Sequence, residues 1–288
     1  MMMLIADSGS TKTLWCMADG GVELSRMETA GLNPYYHDAG SIDRVVTDVA
    51  AVFHAANAVG CVAFYGAGCT GGDKNEMIYS ALCSHFPSAQ IEVCSDMLGA
   101  ARALLQRSRG VACILGTGSN SCLYDGQSIA DNVPAGGYVL GDEGSGAYLG
   151  KRLVSEYIKR RMPDEVATLF ERECSASVSD IIENVYRRPF PNRYLAKYAK
   201  FIAAHARSEP WLYALVYDSF TEFLRRNVCA YPGWEAIPVG FVGSVAWYFR
   251  DILRDAAAGC GVTVGDVMQN PIEGLLRYYK PKTVIRTF

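Results

Sequence analysis

Apolar and polar positions fall into short runs along the first thirty residues. Met2–Asp7 is an apolar run, Thr11–Ala18 is a second, and Val22–Thr29 roughly alternates. Asp19-Gly20-Gly21 between the second and third is a hairpin signal, so the chain opens as a predicted three-stranded meander. The period changes at Ser41. Ile42, Val45, Val46, Val49, Val52, Phe53 and Ala56 follow helical spacing, which predicts an amphipathic helix with Ser41 as N-cap and Asp43 in the first turn. Cys61–Tyr65 reads as a buried strand. Met77, Ile78, Ala81, Leu82 and Phe86 mark a helix, Ile91–Cys94 a strand and Leu98–Arg107 a helix. The predicted order is βββαβαβα, an α/β arrangement unlike a plain doubly wound sheet.

The second half opens in the same way. Val111–Leu115, Asn120–Tyr124 and Gln127–Asp131 are strand candidates, with Gly116-Thr117-Gly118-Ser119 after the first and Asp125-Gly126 after the second. Both halves place a Gly-Ser step between the first two strands and an Asp-Gly turn between the next two. This is a weak internal duplication. Residues from about Gly144 to Arg226 are helical in pieces broken near Pro163, Pro189–Pro191 and Pro210. Ile237–Val242 then reads as a strand and Ala246–Ala258 as a helix. A short strand near Val262–Val264 and a helix near Ile272–Tyr279 follow.

Composition narrows the function classes. Of 288 residues half are hydrophobic and a fifth charged, so a sizeable core is expected. The net charge is −3, and basic residues cluster only in pairs such as Arg160-Arg161, so a nucleic-acid partner is not expected. The start lacks a basic segment before its apolar run, and Val49–Gly68 reads as helix then strand. Neither a signal peptide nor a membrane span is expected. The ten cysteines form no Cys-x-x-Cys pair and mostly lie in apolar runs, which suits buried free thiols and a cytoplasmic location.

Two glycine-containing turns carry the chemistry. In Asp7-Ser8-Gly9-Ser10-Thr11-Lys12-Thr13 the glycine admits close approach of a ligand. The N–H groups and hydroxyls of Ser10 and Thr11 can bond phosphate oxygens, Lys12 adds positive charge, and Asp7 is placed to hold Mg²⁺. Thr117, Gly118 and Ser119 repeat the arrangement without the acid. No Walker A sequence occurs. Gly66-Ala67-Gly68-Cys69-Thr70-Gly71 fits a dinucleotide fingerprint, although a meander precedes it where that fingerprint comes first in its domain. Asp96, after a strand and before a helix, could take a proton from an attacking hydroxyl, and a helix N-cap reads equally well. Ala135–Ala147 packs five glycines with Asp142 and Glu143. Gly243-Ser244 follows a buried strand, where small residues let an adenosine lie against the backbone.

Together these residues resemble the sugar kinase, actin and heat-shock chaperone superfamily. Within it, G-T-G-S-N and G-D-E-G-S are similar to the N-acetylglucosamine kinases and the BadF/BcrA-type ATPases. The resemblance implies two ribonuclease-H-like domains flanking an ATP cleft. The first would span 1–110, with a C-terminal helix near 271–288 available to complete it, and the second 111–270 with a helical insertion. It further implies ATP and Mg²⁺ as cofactors and a small sugar as substrate, most simply N-acetylglucosamine or a related amino sugar. A homodimer stays open. Carried over by position, Asp96 is the catalytic base, and Asn33, Asp96, Gly136, Gly137 and Asp142 line the sugar site. Ser10, Thr11, Lys12, Thr117, Gly118 and Ser119 meet phosphate, Gly243 and Ser244 meet adenosine, and Asp7 meets the metal. The first loop departs from the branch, reading Asp-Ser-Gly-Ser-Thr where Gly-Gly-Thr is usual.

Three other readings compete. A BcrA-like ATPase that activates a CoA-ester dehydratase or reductase would hold an iron–sulfur cluster through cysteines near the start of the second domain, where Cys113 and Cys122 lie. A sugar-binding regulator would carry a DNA-binding segment, for which no room precedes Asp7. A nicotinamide enzyme would use Gly66–Gly71.

Overall fold

The computed structural model describes residues 2–9, 11–53 and 58–280. The chain divides into two compact units. One comprises Met1–Ser108, Gly126–Ser128 and Pro271–Phe288, the other Arg109–Asp125 and Ile129–Asn270.

The first unit runs β1 (Met2–Ser8), β2 (Lys12–Asp19), β3 (Val22–Ala30), α1 (Ala39–Phe53), β4 (Val59–Gly66), α2 (Asp73–His85), β5 (Gln90–Ser95) and α3 (Asp96–Leu105). This is the βββαβαβα order predicted. The sheet order is β3-β2-β1-β4-β5, with β1 antiparallel to β2 and parallel to β4. β1 is central, and its Leu4, Ile5 and Ala6 are fully buried, as an unbroken apolar run requires. Gly20 and Gly21 have φ of 58° and 82°, the left-handed pair that a tight hairpin needs. Trp15 and Phe64 pack in the core with ring centroids 5.8 Å apart, and α1 buries Ile42, Val46 and Val49 against it.

The start of α1 differs from expectation. Asp38, not Ser41, caps it: Asp38 Oδ1 accepts the Ser41 N–H at 2.8 Å, and the Ser41 hydroxyl donates to the Asp38 carbonyl. Either residue can cap, and the charged acceptor three residues earlier takes the role. Asp43 therefore falls beyond the first turn and pairs with His85 at 2.9 Å. Ala56 lies outside the described residues.

The second unit begins with β6 (Gly110–Leu115), β7 (Ser119–Tyr124) and β8 (Ile129–Asp131). The inserted helices follow: α4 (Gly137–Leu140), α5 (Gly146–Ile158), α6 (Asp164–Cys174), α7 (Val178–Tyr186), α8 (Pro191–Ala196), α9 (Ala199–His205) and α10 (Pro210–Arg226). Pro191 and Pro210 occupy first helical positions, where a missing N–H costs nothing. β9 (Val239–Val242), α11 (Ser244–Tyr248), α12 (Arg250–Cys260) and β10 (Val264–Met268) complete the unit, and α13 (Ile272–Tyr279) belongs to the first. The sheet order is β10-β9-β6-β7-β8. Read from the other edge this is the order of the first sheet, so the repeated hairpins belong to a repeated sheet.

Several boundaries shift: the helix expected over Leu98–Arg107 runs Asp96–Leu105, and the strand expected from Ile237 starts at Val239. The helix expected over Ala246–Ala258 is two helices broken at Phe249, whose ψ of 20° leaves the helical range. The last strand starts at Val264 rather than Val262. Gly261, at φ 74°, closes α12 with its N–H on the Ala257 and Ala258 carbonyls, and the chain must turn before it can extend. Among the described residues no helix is long and apolar enough to cross a membrane.

Candidate active site

In the first unit the β1–β2 hairpin is pinned from several sides. Gly9 N–H donates to the Lys12 carbonyl at 3.0 Å, and Gly31 N–H to the Thr11 carbonyl at 3.1 Å. The Ser8 and Thr13 hydroxyls are 2.7 Å apart, and Leu32 N–H donates to Ser8 Oγ at 2.9 Å. Ser8 and Thr13 are fully buried, and their pairing locks the turn that presents Thr11. Ser10 lies outside the described residues. Lys12 Nζ is 2.7 Å from Glu28 Oε2 on the exposed face, so its charge is shared with that acid.

Asp7, near the end of β1, and Asp96, the first residue of α3, stand at the C-terminal ends of β1 and β5 on either side of β4, and form a pair in that the charge of one acts on the other. Burial pushes Asp7 up to about 7, the Asp96 charge adds to this, and Lys12 opposes it. Burial raises Asp96 to about 6 against the pull of its hydrogen bonds from Met97 N–H and its own N–H. The helix cap is Ser95, whose hydroxyl accepts Leu98 N–H at 3.2 Å. Capping is thus done by the preceding residue, and Asp96 Oδ1 accepts the adjacent Met97 N–H at 2.9 Å.

The donor chemistry suits Mg²⁺. Among the described residues neither carboxylate has an ion-pair partner, and both offer hard oxygen ligands. Among the described residues no group of three or more His, Cys, Asp or Glu could hold an ion. Such a pair fits the cation that is usually shared with phosphates and water rather than caged by protein alone.

Asn33 is buried in the turn after β3. Its Oδ1 accepts Tyr35 N–H at 2.9 Å, and its carbonyl accepts the N–H groups of Tyr36 and His37. Gly68 makes room for it, because a Cβ there would fall 2.4 Å from Asn33 Oδ1 and 2.9 Å from the Tyr35 ring. Gly66 instead makes room for Phe64 and Cys69, and a Cβ on Gly71 would meet nothing within 4 Å. The following helix α2 begins only at Asp73, after Gly72, and lacks a side-chain cap, unlike the helix that directly follows a dinucleotide fingerprint.

In the second unit the β6–β7 loop is fixed by the start of α5. Gly146 N–H donates to the Gly116 carbonyl at 2.8 Å, and Ala147 N–H to the Thr117 carbonyl at 3.0 Å. Asp142 is buried with φ 57°, and its Oδ1 accepts Ser119 N–H at 3.2 Å. A Cβ on Gly118 would sit 3.1 Å from that carboxylate, so glycine allows the approach. Burial raises the Asp142 carboxyl, and the Ser119 N–H lowers it. Gly136 and Gly137, at φ 73° and 69°, start α4, and Asp142 N–H closes their loop on the Ala135 carbonyl at 3.0 Å. Gly243, at φ 127°, ends β9 directly against β6. A Cβ there would meet the Leu115 carbonyl oxygen at 2.2 Å. Ser244 begins α11. The second-unit residues picked out by sequence thus gather around the ends of β6 and β9.

The residues that hold these loops escaped sequence reading. Ser8 and Thr13 carry a signal in retrospect, as small hydroxyls flanking a glycine turn. The Asp142–Ser119 bond spans 23 residues and leaves no local pattern. Cys113 and Cys122 are fully buried in β6 and β7, and burial pushes both thiols up, Cys122 to about 12. Neither offers an exposed thiolate for a cluster.

No family model and no curated protein matches the chain. Solved structures do. One from Porphyromonas gingivalis, provisionally named an N-acetylglucosamine kinase, is 48% identical, with 97% of this chain and 99% of that one covered and a TM-score of 0.92. One from Chromobacterium violaceum under the same provisional name is 19% identical, with 96% and 98% covered and a TM-score of 0.74. A ROK-family glucokinase from Streptomyces griseus, in complex with glucose and AMPPNP, is 16% identical, with 96% and 98% covered and a TM-score of 0.59. The last two share the fold. The architecture is that of the sugar kinase, actin and heat-shock chaperone superfamily. Within that class, identity over nearly the whole of both chains places this protein in the N-acetylglucosamine kinase family.

Proposed function

We propose that this protein transfers the γ-phosphoryl group of ATP to a hydroxyl of N-acetylglucosamine or a related amino sugar. The observation that carries this reading is the carboxylate pair of Asp7 and Asp96 beside a pinned hairpin loop. Phosphoryl transfer asks little covalent chemistry of the protein and much positioning and charge control. The two acids divide those tasks.

Asp96 is the base. It is raised towards 6, so it is ionised at neutral pH yet basic enough to accept the hydroxyl proton as attack proceeds. Asn33 and Asp142 orient the sugar by hydrogen bonds, and Gly136 and Gly137 admit it close to the backbone. Ser10, Thr11 and Lys12 in one loop and Thr117, Gly118 and Ser119 in the other bond phosphate oxygens. Gly243 and Ser244 lie against adenosine. Asp7 would hold Mg²⁺, which when bound offsets negative charge on the phosphates.

A coupled ADP-release assay across amino sugars and hexoses tests the reading. ADP release that depends on N-acetylglucosamine is expected. Release that no sugar stimulates would sink it.

A further inference from the structure

Near Asp7 and Asp96 lies a partly buried polar network that the mechanism does not use. Tyr65 stands beside Asp7 in the β1–β4 register, and paired positions on parallel strands share a face. The Tyr65 ring packs against α3 at Gly99, one turn after Asp96. A Cβ on Gly99 would fall 2.7 Å from that ring. The Tyr65 hydroxyl meets Tyr279 Oη at 2.5 Å and accepts from Arg102 Nη1 at 2.8 Å. Arg102 Nη1 also donates to Glu92 Oε1 at 2.8 Å, and Tyr279 donates to Glu92 Oε2 at 2.9 Å. One network thus joins β4, β5, α3 and α13.

Helix α13 docks on α3 by more than this. Gln106 Nε2 donates to the Gly274 carbonyl at 3.0 Å. A Cβ on Gly274 would lie 2.5 Å from the Ala103 carbonyl oxygen, so the two backbones are in close contact. The Tyr278 ring faces the guanidinium groups of Arg102 and Arg107 at 5.3 and 4.7 Å. Partly burying an arginine, a glutamate and two tyrosine hydroxyls is a poor route to stability compared with an apolar core. It does constrain relative placement, because Tyr65, Glu92 and Tyr279 share one set of hydrogen bonds with Arg102 Nη1.

We infer that Tyr65, Arg102 and Tyr279 form a positioning clamp that sets the approach of Asp96 to Asp7. Tyr65 holds the strand beside Asp7, Arg102 sits on the helix that Asp96 begins, and Tyr279 bridges the two from α13. This deepens the kinase reading and rests on it for its kinetic consequence. None of the three is a catalytic residue. Each acts through where the carboxylates stand. A general base misplaced by a fraction of an ångström loses rate without losing substrate affinity. The signal in sequence was the lone charge of Arg102 within the apolar Met97–Leu105 segment.

The test compares Tyr279→Phe and Gly99→Ala with the wild type. Phenylalanine removes one shared hydroxyl and keeps the ring. Alanine is the better helix former, so a loss in that variant would not stem from helix propensity. Turnover number, both Michaelis constants and amide exchange at Met97–Gly99 are measured. The expected result is a fall in kcat of about tenfold, with Michaelis constants within about twofold and faster exchange in the first turn of α3. Wild-type kcat and exchange in Tyr279→Phe would overturn the clamp, as would a loss confined to KM. If Gly99→Ala does not fold, Tyr279→Phe decides alone. If the wild type phosphorylates no sugar, the kinase reading fails by itself, and exchange in Tyr279→Phe still decides whether the network holds the start of α3.

Discussion

The Asp142 carboxylate accepts the backbone N–H of Ser119 at 3.2 Å, tying the acidic glycine-rich segment to the β6–β7 loop. One side chain thereby serves both the proposed sugar site and the proposed phosphate site. Asp142→Asn keeps an acceptor for Ser119 and loses the charge. It should raise the sugar KM about tenfold, the worth of one charged hydrogen bond, and leave the loop in place. Asp142→Ala removes the acceptor too. It should also weaken ATP binding and lower the unfolding midpoint by about 2–4 °C per kcal/mol lost. Equal ATP affinity in the two variants would detach the carboxylate from the loop.

Asp96→Asn should cut kcat by about 10²–10⁴-fold, the usual share of general-base catalysis, while nucleotide binding stays near wild type. Calorimetry with a non-hydrolysable ATP analogue, run beside the turnover assay, separates the two effects. Full turnover in the variant would remove Asp96 from the chemistry.

Asp7 and Asp96 give the metal-free protein a pH signature. Both titrate above the ordinary carboxylate range in the fold, at about 7 and about 6. The folded state therefore binds their protons more tightly than the unfolded chain does. Their contribution to stability is fully present below about pH 4 and is lost as pH rises through 6 and 7. Thermal unfolding without metal should show this pair lowering the midpoint between pH 5 and pH 8. Mg²⁺ with ATP should stabilise more at pH 8 than at pH 5. An Asp7→Asn, Asp96→Asn double variant with an unchanged slope would assign the pH dependence elsewhere.

Two glycines of the second unit should respond in opposite ways. Gly243→Ala forces a Cβ to 2.2 Å from the Leu115 carbonyl oxygen at φ 127°, and should cost about 3 kcal/mol or more. At Gly116 a Cβ meets nothing within 4 Å. Gly116→Ala should fold like the wild type, and its effect should surface as a raised KM for ATP. Equal midpoints for the two variants would contradict the packing described.

Much of this was legible from residue spacing. The meander, the switch from a period of two to helical spacing and the paired glycine turns all depend on neighbours close in sequence. What was hidden depends on distance or on competition. Asp38 and Ser41 both qualify as caps, and only the fold shows that the earlier one wins. Lys12 reads as free charge until Glu28 on the neighbouring strand meets it. Phe249 breaks a helix whose apolar spacing continues straight through. The link from Asp142 to Ser119 and the network from Tyr65 to Tyr279 join segments that share no local pattern.

The two sheets repeat one strand order, yet only the first hairpin starts with an acid, at Asp7, whereas the second starts at Gly116. The same strand order thus carries different residues at its two loops. In the proposed reaction the base sits in the first unit, and the loop of the second contributes grip on phosphate. Substitution of Asp96 should accordingly leave a well-bound but inactive protein, and substitutions in the β6–β7 loop a weak-binding but competent one.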